Sequence, residues 1–151
     1  EGRYNHVRMG INGRLDTIQC AILIEKLKRY PWEVEQRNKV AAYFTESLSQ
    51  IGSKIILPKV KSDRGSVWAQ YTVRVENRDK FAADLKAKGV PTSVHYPSPL
   101  HWQPVYASLR EKYRLPNAEL AASQVISLPM YPDMTLDVQH AIVTAVREVL
   151  S

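Results

Sequence analysis

Apolar and polar positions divide the chain into a helical first third and a mixed remainder. From Arg14 to Tyr30 the apolar residues recur at helical spacing, with Leu15, Ile18 and Ile22 on one line and Ala21, Ile24 and Leu27 a step round. Cys20 and Leu23 are apolar too, so this helix is expected to be covered on more than one side. Such a helix is either central to its domain or pressed against another subunit. Asn12 stands where an N-cap belongs, with Asp16 in the first turn favouring the helix dipole. Pro31 is expected to interrupt the pattern. A second helix then runs to about Ile51 on Val34, Ala41, Phe44, Leu48 and Ile51, with Gly52 as its C′ residue.

After a polar connection from Lys59 to Gly65 the period changes to two. Val67, Ala69, Tyr71, Val73 and Val75 alternate with Trp68, Gln70, Thr72 and Arg74, which predicts a strand. Asn77 opens a short helix that buries Phe81, Ala82 and Leu85 and stops at Gly89. In the strand predicted next, Val90, Thr92, Val94 and Tyr96 share one face and Ser93 and His95 the other. Pro104 to Leu109 reads as irregular or briefly helical. Pro116-Asn117 starts a helix through about Val125, Ile126 to Met130 is a short apolar strand, and Thr135 caps a final amphipathic helix on Leu136, Ile142, Val146 and Val149. The order is two helices, then strand–helix–strand, then helix–strand–helix. That predicts an α+β fold with long N-terminal helices and a small, mostly antiparallel sheet of about three strands.

Composition narrows the function classes. At 151 residues with 44% hydrophobic positions, the chain fits one domain with a real core. No apolar run approaches the ~20 residues of a membrane span, so no membrane partner is expected. The formal charge of +6 is spread along the chain among acidic residues, without zinc-finger or RNA-binding signatures, so nucleic acid is not expected either. The opening Glu1-Gly2-Arg3-Tyr4 is polar and lacks an initiator Met, which reads as a segment of a longer polypeptide without a signal peptide. A lone Cys20 fits a reducing, cytoplasmic setting.

Two stretches carry candidate chemistry. Val94-His95-Tyr96-Pro97-Ser98-Pro99 leaves a strand with an imidazole and a phenol ahead of two prolines, which fix φ and remove two backbone donors. Such a loop displays polar side chains to a ligand, although an ordinary proline-rich connection explains it as well. While the strand stays regular the two side chains point to opposite faces, and only the Pro97 turn aims both at one site. Gly10-Ile11-Asn12-Gly13-Arg14-Leu15-Asp16 allows close backbone approach ahead of a helix N-terminus, with Arg14 able to grip a phosphate or carboxylate. A capped helix start with a surface Arg accounts for it nearly as well. No Gly-rich phosphate loop, CxxC, HExxH or nucleophile elbow is present. His95 and His101, six apart around two prolines without nearby carboxylates or thiols, make a poor metal pair, so no metal site is expected.

Taken together these stretches resemble the DegT/StrS-type sugar-nucleotide aminotransferases. The resemblance runs through Gly10 to Asp16 with Gln19-Cys20-Ala21, Gln36-Arg37, Gln70-Tyr71-Thr72-Val73, His95 to His101 with Gln103-Pro104, and Ser127-Leu128-Pro129-Met130-Tyr131-Pro132. It implies the C-terminal small domain of a fold-type-I transferase that depends on pyridoxal 5′-phosphate. Residues 1–52 would be linking helices and 53–151 a small α+β subdomain. The enzyme it implies is a homodimer with active sites at the subunit interface. It moves an amino group from an amino acid, expected to be glutamate, to a nucleotide-linked keto-sugar for polysaccharide or glycan synthesis.

The same resemblance assigns roles. Asn12 would reach the cofactor phosphate of the neighbouring subunit, Arg14 the neighbour's substrate site, and His95 and Tyr96 would line the sugar-nucleotide pocket. The set Arg14, His95 and Tyr96 looks closest to members acting on a UDP-linked 3-keto uronic acid. The resemblance implies that the Schiff-base lysine lies upstream, and Lys54 has the wrong surroundings to replace it. The segment alone is therefore expected to be inactive and not to hold the cofactor. A dehydratase of the same family, or a non-catalytic dimerisation or binding module, are the alternatives.

Overall fold

In the computed structural model, which describes residues 5–11, 13, 15–110 and 112–151, the first helix is capped by Asp16. The Asp16 carboxylate accepts the Gln19 N–H at 2.8 Å, satisfying a donor that the helix start leaves unpaired. The cap expected at Asn12 is thus four residues too early, and Asp16 is the cap itself. Helix α1 then runs unbroken over Thr17–Ser49, about 50 Å at 1.5 Å per residue.

The break expected at Pro31 does not occur. Proline removes one ladder bond, and the helix continues through it with Arg29 in contact with residues on its far side. Arg29 lies 4.3 Å over the Trp32 ring, stands 3.8 Å from Glu33, and reaches Asp133 at 2.6 Å. Gly52, expected as C′, sits two residues beyond the C-cap Gln50, with φ +74°.

Strands β1 (Tyr71–Arg74) and β2 (Val125–Leu128) pair antiparallel, Tyr71 opposite Leu128 and Val73 opposite Ile126. An isolated bridge flanks each outer edge: Ile56 pairs with Arg74, and Ser93 with Ser127. The strand read over Val90 to Tyr96 is therefore present as the single Ser93 pairing. The strand read from Val67 begins only at Tyr71, because Trp68 adopts φ +48° and breaks the extended run. Arg37 holds that turn, donating through Nη1 to the carbonyls of Trp68 at 3.0 Å and Met130 at 3.3 Å.

Period two then separates the faces. Tyr71, Val73, Ile126 and Leu128 enter the core with Phe44 and Leu48 of α1. Helix α2 (Arg78–Ala87) adds Phe81 and Leu85, and α5 (Leu136–Leu150), capped by Thr135, adds Ile142, Val143 and Val146. Side chains buried this fully contribute about 1.5–3 kcal/mol each. The other sheet face is polar near its centre, where Thr72 Oγ1 and Ser127 Oγ are 2.9 Å apart. The short α3 (Ala107–Arg110) and α4 (Pro116–Gln124) complete the chain.

Burial along α1 is uneven. Its buried residues are Val40, Ala41, Phe44 and Leu48, all in the C-terminal half, whereas Ile18, Ile22 and Leu27 are 75%, 56% and 61% exposed. The helix that the sequence pattern expects to be covered stands bare in this chain.

Candidate functional site

The Ser93–Ser127 bridge, with N–H···O distances of 3.2 and 2.7 Å, fixes where the chain leaves the sheet. His95 and Tyr96 follow, joined by a cis peptide, with their rings edge to face at a centroid distance of 5.9 Å. The chain then folds through 3-10 turns at Leu100–Trp102 and Pro104–Tyr106. A regular strand would send His95 and Tyr96 to opposite faces; here both line one cavity of about 580 Å³.

The opposite wall of that cavity comes from α4. Ala118, Ala121 and Ala122, spaced i, i+3, i+4, turn one methyl-lined face toward the His95–Tyr96 loop, continued by Val125. Because these positions are alanines, space remains between helix and loop. His101 and Tyr106 complete the polar part of the lining, which among the described residues includes no Lys or Arg. His95 also borders a smaller cavity of about 270 Å³ with Gln70, Thr92, Ser127 and Met130. Its Nδ1 is buried without a hydrogen-bond partner. A buried ring nitrogen without a partner carries a desolvation cost that a ligand or another chain segment can relieve.

His101 is placed by α4. Its Nε2 lies 3.1 Å from Glu119 Oε1, and the same carboxylate accepts the Leu115 N–H at 3.1 Å. These bonds, the Leu115 N–H foremost and His101 next, hold the Glu119 carboxyl below its ordinary value. An ionised carboxylate only accepts, so His101 Nε2 is the donor. Glu119 and the alanine face are site features that sequence reasoning missed. Their signal was the helical spacing after Pro116, which reads equally as ordinary packing.

Asn12 and Arg14 lie outside the described residues. Lys54 is accounted for elsewhere: its Nζ donates to the carbonyls of Leu150 and Ser151 at 2.6 and 3.0 Å. Among the described residues no group of three or more His, Cys, Asp or Glu could hold a metal ion, and no helix is long and apolar enough to cross a membrane.

The family model for DegT/DnrJ/EryC1/StrS aminotransferases matches residues 1–147. The chain belongs to this family. It is 52% identical over 130 residues to the UDP-2-acetamido-2-deoxy-3-oxo-D-glucuronate aminotransferase of Pseudomonas aeruginosa, covering 86% of this chain and 35% of that protein. The crystal structure of DesV from S. venezuelae superposes with a TM-score of 0.85 at 36% identity, over 99% of this chain and 40% of that one. NtdA from Bacillus subtilis, solved with bound cofactor PMP, superposes with a TM-score of 0.80 at 29% identity, over 96% and 34%. The chain thus spans little more than a third of the relatives it matches.

That fraction bears on the family's cofactor. No lysine lines either cavity at His95 among the described residues, so the arrangement offers no covalent anchor for pyridoxal phosphate. The described residues do not by themselves fit that group.

Proposed function

We propose that this chain is the substrate-facing C-terminal part of a pyridoxal-phosphate-dependent aminotransferase that aminates a nucleotide-linked keto-sugar. The carrying observation is the convergence of His95 and Tyr96 on one cavity, with His95 Nδ1 buried and unpartnered. The cavity's alanine wall suits an uncharged ring of the ligand, while its imidazole and phenol offer directional hydrogen bonds. Among the described residues that lining includes no Lys or Arg, so the ligand's negative charge falls to other residues, the partner subunit's Arg14 in this reading. Asn12 serves the cofactor phosphate of the neighbouring subunit. The cofactor, when bound, supplies the carbonyl carbon that carries nitrogen from glutamate to the sugar.

A UDP-linked 3-keto uronic acid is the substrate we favour. The Arg14, His95 and Tyr96 set supports it, as does 52% identity to a relative whose name specifies a UDP-linked 3-oxo-glucuronate. Residues 1–52 act as the link to the rest of the enzyme, and the bare apolar half of α1 is the surface by which it meets the larger domain or a second subunit.

The test is the visible absorbance spectrum of the full-length protein, before and after glutamate and then after the keto-sugar nucleotide. A band that shifts with glutamate and returns with the sugar is the expected result. A full-length protein that never acquires the band overturns the reading.

A further inference from the structure

The His95–Tyr96 loop is tied to the chain's N-terminal segment through a buried carboxamide. Gln103 is 7% exposed, and its Oε1 accepts the His6 N–H at 3.3 Å. Two residues on, the Val105 N–H donates to the His6 carbonyl at 3.0 Å. His6 is therefore held at both backbone groups, as in an antiparallel bridge, but one acceptor is a side chain. The local sequence explains the substitution. The Gln103 carbonyl is already taken by the Tyr106 N–H at 2.8 Å, closing the turn that Pro104 starts. A side-chain oxygen at 103 is what remains to meet His6. Farther along the segment, Tyr106 Oη donates to Met9 Sδ at 3.7 Å, and Tyr106 itself lines the His95 cavity.

We infer that Gln103 is a positioning residue that ties His6 to the turn carrying Tyr106, and so holds one wall of the His95–Tyr96 cavity in place for the nucleotide sugar. Gln103 holds His6 at the start of the turn, and Tyr106 at its end reaches Met9. Losing the Gln103 acceptor leaves α1 and the sheet intact and loosens the turn that holds Tyr106 at the cavity wall. This inference rests on the function proposed above. Gln103 touches no reacting atom in it.

The experiment pairs two measurements on Gln103→Leu and Gln103→Glu. Leucine keeps the approximate volume and removes the acceptor; glutamate keeps an acceptor oxygen. In this chain, amide hydrogen exchange is expected to speed up about tenfold at His6 and Val105 in Gln103→Leu, with Val73 and Ile126 unchanged and Gln103→Glu close to wild type. In the full-length enzyme, Gln103→Leu is expected to raise KM for the nucleotide sugar about tenfold with kcat nearly unchanged, and Gln103→Glu to restore it. His6 protection that survives Gln103→Leu overturns the tie. Lost protection with an unmoved KM overturns the positioning role. A full-length protein that converts no nucleotide sugar overturns the functional reading instead and leaves Gln103 a structural tie, so the two failures are distinct.

Discussion

One oxygen of Glu119 accepts both the His101 Nε2–H and the Leu115 N–H, each at 3.1 Å, and so joins the His95–Tyr96 loop to the start of α4. The bonds depress the Glu119 value, which makes the joint sensitive to acid. A carboxyl depressed in the folded state adds stability that is whole above its unfolded value and is lost as pH falls through the folded one. Glu119→Gln is therefore expected to lower urea stability at neutral pH, and the gap from wild type should close well below the ordinary glutamate value. A gap that stays constant with pH would mean that the ionised carboxylate contributes nothing.

Arg37 makes a similar tie on the opposite side of the sheet end. One guanidinium nitrogen reaches the Trp68 and Met130 carbonyls, and Trp68 Nε1 donates to Asn38 Oδ1 at 3.0 Å. These bonds hold Trp68 at positive φ, which is costly for a bulky residue. Arg37→Met, keeping most of the stem, should cost about 2 kcal/mol and change Trp68 fluorescence. Arg37→Lys should recover only part, since the shorter lysine stem ends short of the Nη1 position that meets both carbonyls.

Much of this architecture was legible in the sequence. Tyr71, Val73, Phe81, Leu85, Ile142 and Val146 are buried where periodicity placed them, because each element has one apolar face and one partner layer. The errors share a cause. Pro31, Trp68 and the 90–96 strand were read from local preference, and contacts with distant parts of the chain accompany each difference: Arg29 with Asp133, Arg37 with the Trp68 carbonyl, and one Ser93–Ser127 bridge. At the site, His95 and Tyr96 were singled out by the family resemblance, since the proline-flanked pair alone reads equally well as an ordinary connection. Glu119 and Gln103 were not, since their partners lie 18 and 97 residues away along the chain.

Thr45 and Tyr71 put one polar contact at the edge of the core, their hydroxyl oxygens 2.8 Å apart, with Tyr71 fully buried. Burial raises the Tyr71 phenol above its ordinary value, and the Thr45 bond partly opposes this. A group raised in the folded state contributes stability that is whole below its unfolded value and is lost as pH rises through the folded one. Wild type should therefore lose stability in alkali more steeply than Tyr71→Phe. Thr45→Val, which strips the phenol of this partner, should cost about 1–3 kcal/mol at neutral pH by urea unfolding.

The exposed half of α1 makes a prediction about association. Ile18 and Ile22 lie one turn apart on one helix face and are 75% and 56% exposed. The 151-residue chain is expected to self-associate in sedimentation velocity, and Ile18→Lys combined with Ile22→Lys to return it to monomer. A wild-type chain that sediments as a clean monomer would remove the argument for a covered helix.

The proposed substrate role separates the two halves of the reaction. His95 and Tyr96 are assigned to the sugar nucleotide, and nothing assigns them to the amino donor. In the full-length enzyme, His95→Ala and Tyr96→Phe should leave the cofactor band's shift with glutamate within about twofold of the wild-type rate. Its return on adding the keto-sugar nucleotide should slow, with KM rising about tenfold for loss of one directional hydrogen bond in a desolvated site. Stopped-flow absorbance reads both steps on one sample. If the glutamate step falls as far as the sugar step, the two residues shape the whole active site rather than one ligand, and the assignment to the sugar pocket is wrong.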